Sequence, residues 1–195
     1  FLKYVVWEVF LSLHLWISLD RDANEPLSLL EELENALGLP SVAVTWPIGN
    51  GAYFEGVYDR LKNVVHLFKE KRTIQLSEEG VFDKQLDDIL FHENLANLRD
   101  EIELLDGAGN EFDMDLISKG KLSPVFFGTA LADFGVTEFL EHFLDMSPAP
   151  GAKKNLLQEE VQPTDDFFSG FIFKIQANMN PAHRDRLCIF KKWHI

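Results

Sequence analysis

Apolar positions along this chain change period several times, and each change marks an element. Leu13 to Leu19 is a short continuous apolar run that predicts a buried strand, with Asp20 at its carboxyl end. Asp22 or Asn24 suits the cap of the next helix, and Pro26 its first turn. Leu27, Leu30, Leu33 and Leu37 recur at helical spacing until Gly38 and Pro40 stop the helix. Val42, Val44 and Trp46 then alternate as a strand. Strand, helix and strand in this order are the grammar of an α/β layer with a mostly parallel sheet.

From 47 to about 80 the pattern changes. Gly49-Asn50-Gly51 is a turn signal, and Tyr53 to Phe68 mixes aromatic and β-branched residues, so an antiparallel excursion out of the sheet is expected. Leu86, Leu90, Leu95, Leu98, Ile102 and Leu105 predict one long amphipathic helix over Phe82 to Leu105, ended by Gly107-Ala108-Gly109. A short acidic helix is expected from Glu111 to Lys119. Pro124 to Gly128 reads as an apolar strand. The next helix starts near Gly135-Val136-Thr137, exposes Glu138, Glu141 and Asp145, and ends before Pro148. Residues 148–166 hold prolines, a lysine pair and no apolar period, which predicts a linker. Phe167 to Ala177 opens a second, strand-rich unit.

Composition narrows the function. The net charge is −14 over 195 residues, yet residues 181–195 carry Arg184, Arg186, Lys191 and Lys192 against Asp185, which leaves −17 on the rest. That balance argues against a broad grip on nucleic acid and allows a limited basic patch at most. One cysteine, Cys188, excludes an internal disulfide and a thiolate zinc cage, and it suits a reducing cytoplasm. Lys3, Glu8 and His14 interrupt the apolar segment from Phe1 to Leu19, so neither a membrane span nor a signal peptide is expected. His92-Glu93 lacks the second histidine of a zinc protease, because position 96 is Ala. His183-Arg184-Asp185 lacks the asparagine of a kinase loop, because position 190 is Phe. Pairs such as Glu31-Glu32, Glu78-Glu79 and Asp87-Asp88 read as solvated faces.

Three runs carry more. They are Thr45-Trp46-Pro47-Ile48-Gly49-Asn50-Gly51-Ala52-Tyr53-Phe54-Glu55-Gly56-Val57-Tyr58-Asp59-Arg60, Pro124-Val125-Phe126-Phe127-Gly128-Thr129-Ala130-Leu131, and Phe173-Lys174-Ile175-Gln176-Ala177-Asn178-Met179. In order and spacing they resemble peptide-chain release factor 3, a family of translational GTPases. Asp100 to Leu105 with Gly107-Ala108-Gly109, and Phe168 to Leu187, extend the likeness, which covers Leu19 to Leu187. Elongation factor G shares the architecture but not the first and third runs.

The resemblance implies an α/β fold: the carboxyl half of a P-loop-type GTPase domain over residues 1–147, with a mostly parallel sheet and a β-hairpin excursion inserted at about 47–80. A linker, 148–166, and the start of an all-β barrel domain, 167–195, would follow. It also implies a cytoplasmic protein that binds GTP and GDP with Mg²⁺ and recycles codon-reading release factors on the ribosome, with no DNA and no membrane among its partners. Lys174, His183, Arg184 and Arg186 are the residues placed to face ribosomal RNA.

By the same resemblance, Asp20 takes the place of the aspartate that reads guanine. A carboxylate suits the task, because guanine offers a ring N–H and an adjacent amino group to one bidentate acceptor. Read alone, Asp20 is a helix-capping or loop carboxylate. The family's asparagine and lysine are replaced by Ile17 and Ser18 or, if one residue is missing, Ser18 stands for the asparagine. Thr129, Ala130 and Leu131 resemble the second guanine loop, in which the Ala130 N–H would face the guanine carbonyl; read alone, they are an ordinary strand-to-helix turn. No G-x-x-x-x-G-K-[ST] phosphate loop occurs, so no catalytic residue is assigned and tight nucleotide binding by this chain is not expected.

Both ends depart from the family. Phe1 to Ser18 keeps its apolarity and loses the motif, and Cys188 to Ile195 loses the barrel strand. This points to a truncated or frame-shifted reading frame and to a chain that self-associates through an unpaired sheet edge. The second reading is a non-enzymatic protein-interaction module that reuses a truncated GTPase fold, with Tyr53, Phe54 and Tyr58 as a candidate aromatic patch.

Overall fold

A computed structural model describes residues 14–17, 25–129, 134–147, 151–155, 157–162, 164–166, 170–177 and 186–192. The chain divides into two compact units, residues 1–147 and 148–195.

The α/β class read from the sequence is borne out. Strand β1 (His14–Ile17) is followed by α1 (Pro26–Leu37) and β2 (Ser41–Ala43). Pro26 opens α1, and Gly38, in the left-handed region at φ 64°, closes it by donating its N–H to the Glu34 carbonyl. Glu25 occupies the cap position, not Asp22 or Asn24, and makes no side-chain capping bond. Leu29 and Leu33 are buried, with Leu27 and Leu30 partly so.

Val42, Val44 and Trp46 do not share one strand. The chain leaves the parallel sheet after β2 and begins a second sheet at β3 (Thr45–Ile48). Every position from Ser41 to Ile48 is buried, so alternation carries no information there. Val42 and Val44 pack with one apolar cluster, whereas Ala43 and Trp46 pack with the other. The crossing falls at Thr45.

The expected excursion is a full four-stranded antiparallel sheet rather than a hairpin. It runs β3, β4 (Gly56–Asp59), β5 (Val64–Leu67) and β6 (Arg72–Gln75) in spatial and chain order. Pro47 is tolerated in β3 because β3 lies at the edge of this sheet. Tyr53 is 73% exposed, but Phe54 and Tyr58 are buried, so only part of the candidate aromatic patch faces solvent.

The long helix expected over Phe82 to Leu105 is broken. Two 3₁₀ turns, Gly80–Phe82 and Lys84–Asp88, precede the helix proper, α2 (His92–Ala108). Asp83 separates the turns by accepting the Ser77 and Gln85 amides at 2.8 and 2.9 Å. Phe91 is extended and gives its N–H to the Glu55 carboxylate. Leu86 and Leu90 are buried without being α-helical, because the 3₁₀ turns return an apolar residue to the core at nearly helical spacing. The acidic helix is shorter than expected, α3 (Met114–Ser118), and is capped by Asp113.

Strand β7 (Ser123–Gly128) lies between β1 and β2, parallel to both. Val125 and Phe127 face the cluster built by α1, α2 and the inserted sheet, while Phe126 faces α3 and α4 (Val136–Met146). Helices therefore cover both faces of the parallel sheet.

In the second unit, β8 (Lys153–Lys154) and β9 (Glu160–Val161) form a two-residue antiparallel pair. Strand β10 (Gly170–Ala177) pairs antiparallel with β11 (Arg186–Lys192). The expectation that no strand follows Cys188 is thus corrected. The register of this ladder shifts between Ile172 and Lys174, at a β-bulge or irregularity.

Candidate functional site

The first sheet is parallel, so its strands deliver their carboxyl ends to one edge, where open α/β sheets bind ligands. Ile17 pairs with Gly128, the last residues of β1 and β7. Asp20 follows Ile17 by three positions, and Thr129 follows Gly128 directly. Asp20, Ala130 and Leu131 lie outside the described residues. Thr129 is buried.

Thr129 and Phe134 form an isolated antiparallel bridge, so the chain turns back between them. The Thr129 N–H donates to the Phe134 carbonyl at 2.9 Å, and the Phe134 N–H returns the bond at 3.0 Å. Glycines on either side permit this closure. A Cβ on Gly128 would lie 2.7 Å from the Phe134 carbonyl oxygen. Gly135 has φ +78°, and a Cβ there would lie 2.9 Å from the Phe127 oxygen. The backbone passes too close for any other residue.

The inserted sheet grips this turn from three sides. At the end of β7, the Thr45 hydroxyl accepts the Phe127 N–H at 2.7 Å, with its own hydrogen toward the Phe127 carbonyl at 3.5 Å. At the turn, the Phe134 ring lies against Phe54 and Phe68, with centroids 5.8 and 5.2 Å away, and those two rings touch each other at 5.4 Å.

Beyond the turn, α4 is tied by three pairs. His142 Nε2 lies 2.6 Å from Asp59 Oδ2, Lys62 Nζ lies 2.6 Å from Glu141, and His66 Nδ1 lies 3.3 Å from Glu138. Glu138 and Glu141, expected to be merely solvated, are both engaged. Asp59 is fully buried, and its Oδ1 accepts the Leu61 and Lys62 amides. Burial pushes the Asp59 carboxyl up, but the His142 and Lys62 hydrogen bonds, and the charges of both, outweigh it and hold the carboxyl below its ordinary value. Asp59 is therefore ionised at neutral pH, and Nε2–H of His142 is the donor.

Sequence reading missed Thr45, Asp59, Phe134 and His142. A signal existed for Asp59, a carboxylate closing the apolar run Val57-Tyr58, since a buried charge requires a partner. Nothing in the sequence named His142 as that partner.

A second concavity of about 640 Å³ lies where the start of α1, the β3–β4 connection and the start of α2 meet. Tyr53 and Phe91, 73% and 60% exposed, stand at its wall. Glu101 also lines it, and its Oε2 accepts the buried Trp46 indole N–H at 2.7 Å. Among the described residues no His, Cys, Asp and Glu cluster could hold a metal ion, and no helix is long and apolar enough to cross a membrane.

No protein-family model matches the chain. Relatives named peptide chain release factor 3 do. That of Synechococcus elongatus is 47% identical over 177 residues, covering 89% of this chain and 32% of the relative. Those of Streptococcus sanguinis and Streptococcus pneumoniae are 48% and 49% identical over 175 and 173 residues, each covering 89% of this chain and 33% of the relative. The chain therefore spans about a third of the length of the curated relatives it matches. Across 89% of its length it is homologous to that third of peptide chain release factor 3.

Proposed function

We propose that this chain supplies the base-reading edge of a translation-termination GTPase, with the Asp20 carboxylate accepting guanine's two adjacent donors and the turn through Thr129, Ala130 and Leu131 facing its carbonyl oxygen. The observation that supports this reading is the parallel pairing of Ile17 with Gly128, which sets the carboxyl ends of β1 and β7 side by side.

In this reading residues 1–147 are the carboxyl part of the GTPase domain, 148–166 its linker and 167–195 the start of a β-barrel domain. The whole protein binds GTP and GDP with Mg²⁺, works in the cytoplasm on the ribosome and releases the codon-reading factors. The residues of this chain fit the base and not the phosphates or the metal: the sequence has no phosphate loop. No step of phosphoryl transfer is assigned to them.

Saturation-transfer NMR with guanosine and adenosine tests the reading. Weak binding is expected, because a base alone supplies few contacts. Transfer to guanosine well above that to adenosine supports the reading; equal transfer, or none to either, overturns it.

The exposed Tyr53 and Phe91 beside the 640 Å³ concavity favour one second reading, a protein-interaction module. A defined protein partner lost on Tyr53→Ser, with guanosine transfer absent, would place that reading first.

A further inference from the structure

We propose that the inserted antiparallel sheet is a positioning element for the turn that starts at Thr129, acting through Thr45 on β7, through Phe54 and Phe68 on Phe134, and through Asp59 on His142. This rests on the base-reading assignment for its purpose, but not for its structural content.

The three contacts run in order. Asp59, Lys62 and His66, read along the insertion, meet His142, Glu141 and Glu138, read back along α4 toward the turn. A shift of α4 by one helical turn would take His142 from Asp59 and Glu138 from His66, although Asp145 could then replace Glu141 beside Lys62. Asp59 has no slack to follow such a shift: Oδ1 is occupied by the Leu61 and Lys62 amides, and Oδ2 by His142. A buried hydrogen bond to a charged carboxylate is a poor source of stability compared with apolar packing of equal volume. What it does supply is a single allowed position for α4.

The turn is held at its other points by the same sheet. The Thr45 hydroxyl fixes the Phe127 amide, one residue before Gly128. Phe134, whose backbone closes the turn, has its ring against two insertion residues. The insertion therefore contacts the strand before the turn, the residue closing it and the helix after it. Thr45, Phe134 and His142 are positioning residues: each acts on the turn's backbone and none is placed at the base.

The test is site-resolved amide hydrogen exchange on the intact chain, with no nucleotide present. In His142→Ala, the Thr129 and Phe134 amides are expected to exchange at least roughly tenfold faster, while Leu98 and Ile102 of α2 change by less than about threefold. His142→Gln, whose amide nitrogen can reach Asp59, is expected to restore the slow rates. Phe134→Leu leaves the ion pairs intact and serves if His142→Ala does not fold; the same local acceleration is expected. Uniform acceleration at all four amides would reduce the pair to a general stabiliser, and unchanged rates at Thr129 and Phe134 would sever the insertion from the turn; either overturns the proposal. Because no guanosine is used, a failure of base recognition leaves this result untouched, and the reverse also holds.

Discussion

The hydroxyl of Thr45 takes the Phe127 amide hydrogen at 2.7 Å, at the point where the chain passes from the parallel sheet to the inserted one. One residue earlier, the Val44 N–H still pairs with the Val125 carbonyl. At Thr45 a side chain continues the ladder that the backbone has left. Both residues are buried, so no water can replace the bond.

Thr45→Val keeps the shape and removes the acceptor. The Phe127 amide is then buried without a partner, at a cost of about 1–3 kcal/mol. Thr45→Ser is expected to retain most of the stability. Urea unfolding of the three proteins, read at constant slope, checks this.

Asp59 contributes to the acid limb of stability. Its folded carboxyl lies below the ordinary 3.8, so its contribution is full above that value and is lost as pH falls through the lowered one. Asp59→Asn is expected to be less stable at neutral pH and to show a shallower loss on acidification. Thermal unfolding followed from neutral pH downward compares the two proteins.

Glu101 acts in the opposite sense. Burial pushes its carboxyl up, the Trp46 indole pulls it partly back, and the charges of Glu25 and Asp100 raise it further. The associated stability is full below the ordinary 4.5 and is lost as pH rises through the raised value. Glu101→Gln keeps an oxygen for the indole and is expected to remove that loss. Glu101→Ala leaves the Trp46 N–H unpaired and is expected to cost about 1–3 kcal/mol. Trp46 is buried, so its fluorescence reports both variants.

Gly135→Ala tests the turn. At φ +78° an L-residue is penalised by about 1–2 kcal/mol, before the contact with the Phe127 oxygen is counted. Gly38→Ala shares the left-handed conformation but meets nothing within 4 Å, so it should cost less. Melting temperatures of the two variants, measured side by side, separate strain from clash.

How far the sequence could be read depended on whether neighbours along the chain decide the outcome. Gly38, Pro26 and Gly135 were legible because each acts on its own turn. The break at Thr45 was not, because both faces of 41–48 are buried and a period of two has no meaning there. Leu86 and Leu90 mimicked a helix, and only Asp83 and Phe91 stop it. Of the candidate site, Thr129 and its flanking glycines were legible through the family run. The Asp59–His142 pair was not, since its partners lie 83 residues apart and neither names the other.

Guanine reading at the carboxyl edge of β1 and β7 is the proposal on which the rest depends. The most direct measurement is an amide-shift titration of the chain with GDP and, separately, ADP, following Thr129 and Phe134. Saturable shifts at both amides are expected with GDP, and little movement with ADP. Equal shifts with both nucleotides, or GDP-induced shifts confined to residues away from this edge, would contradict it.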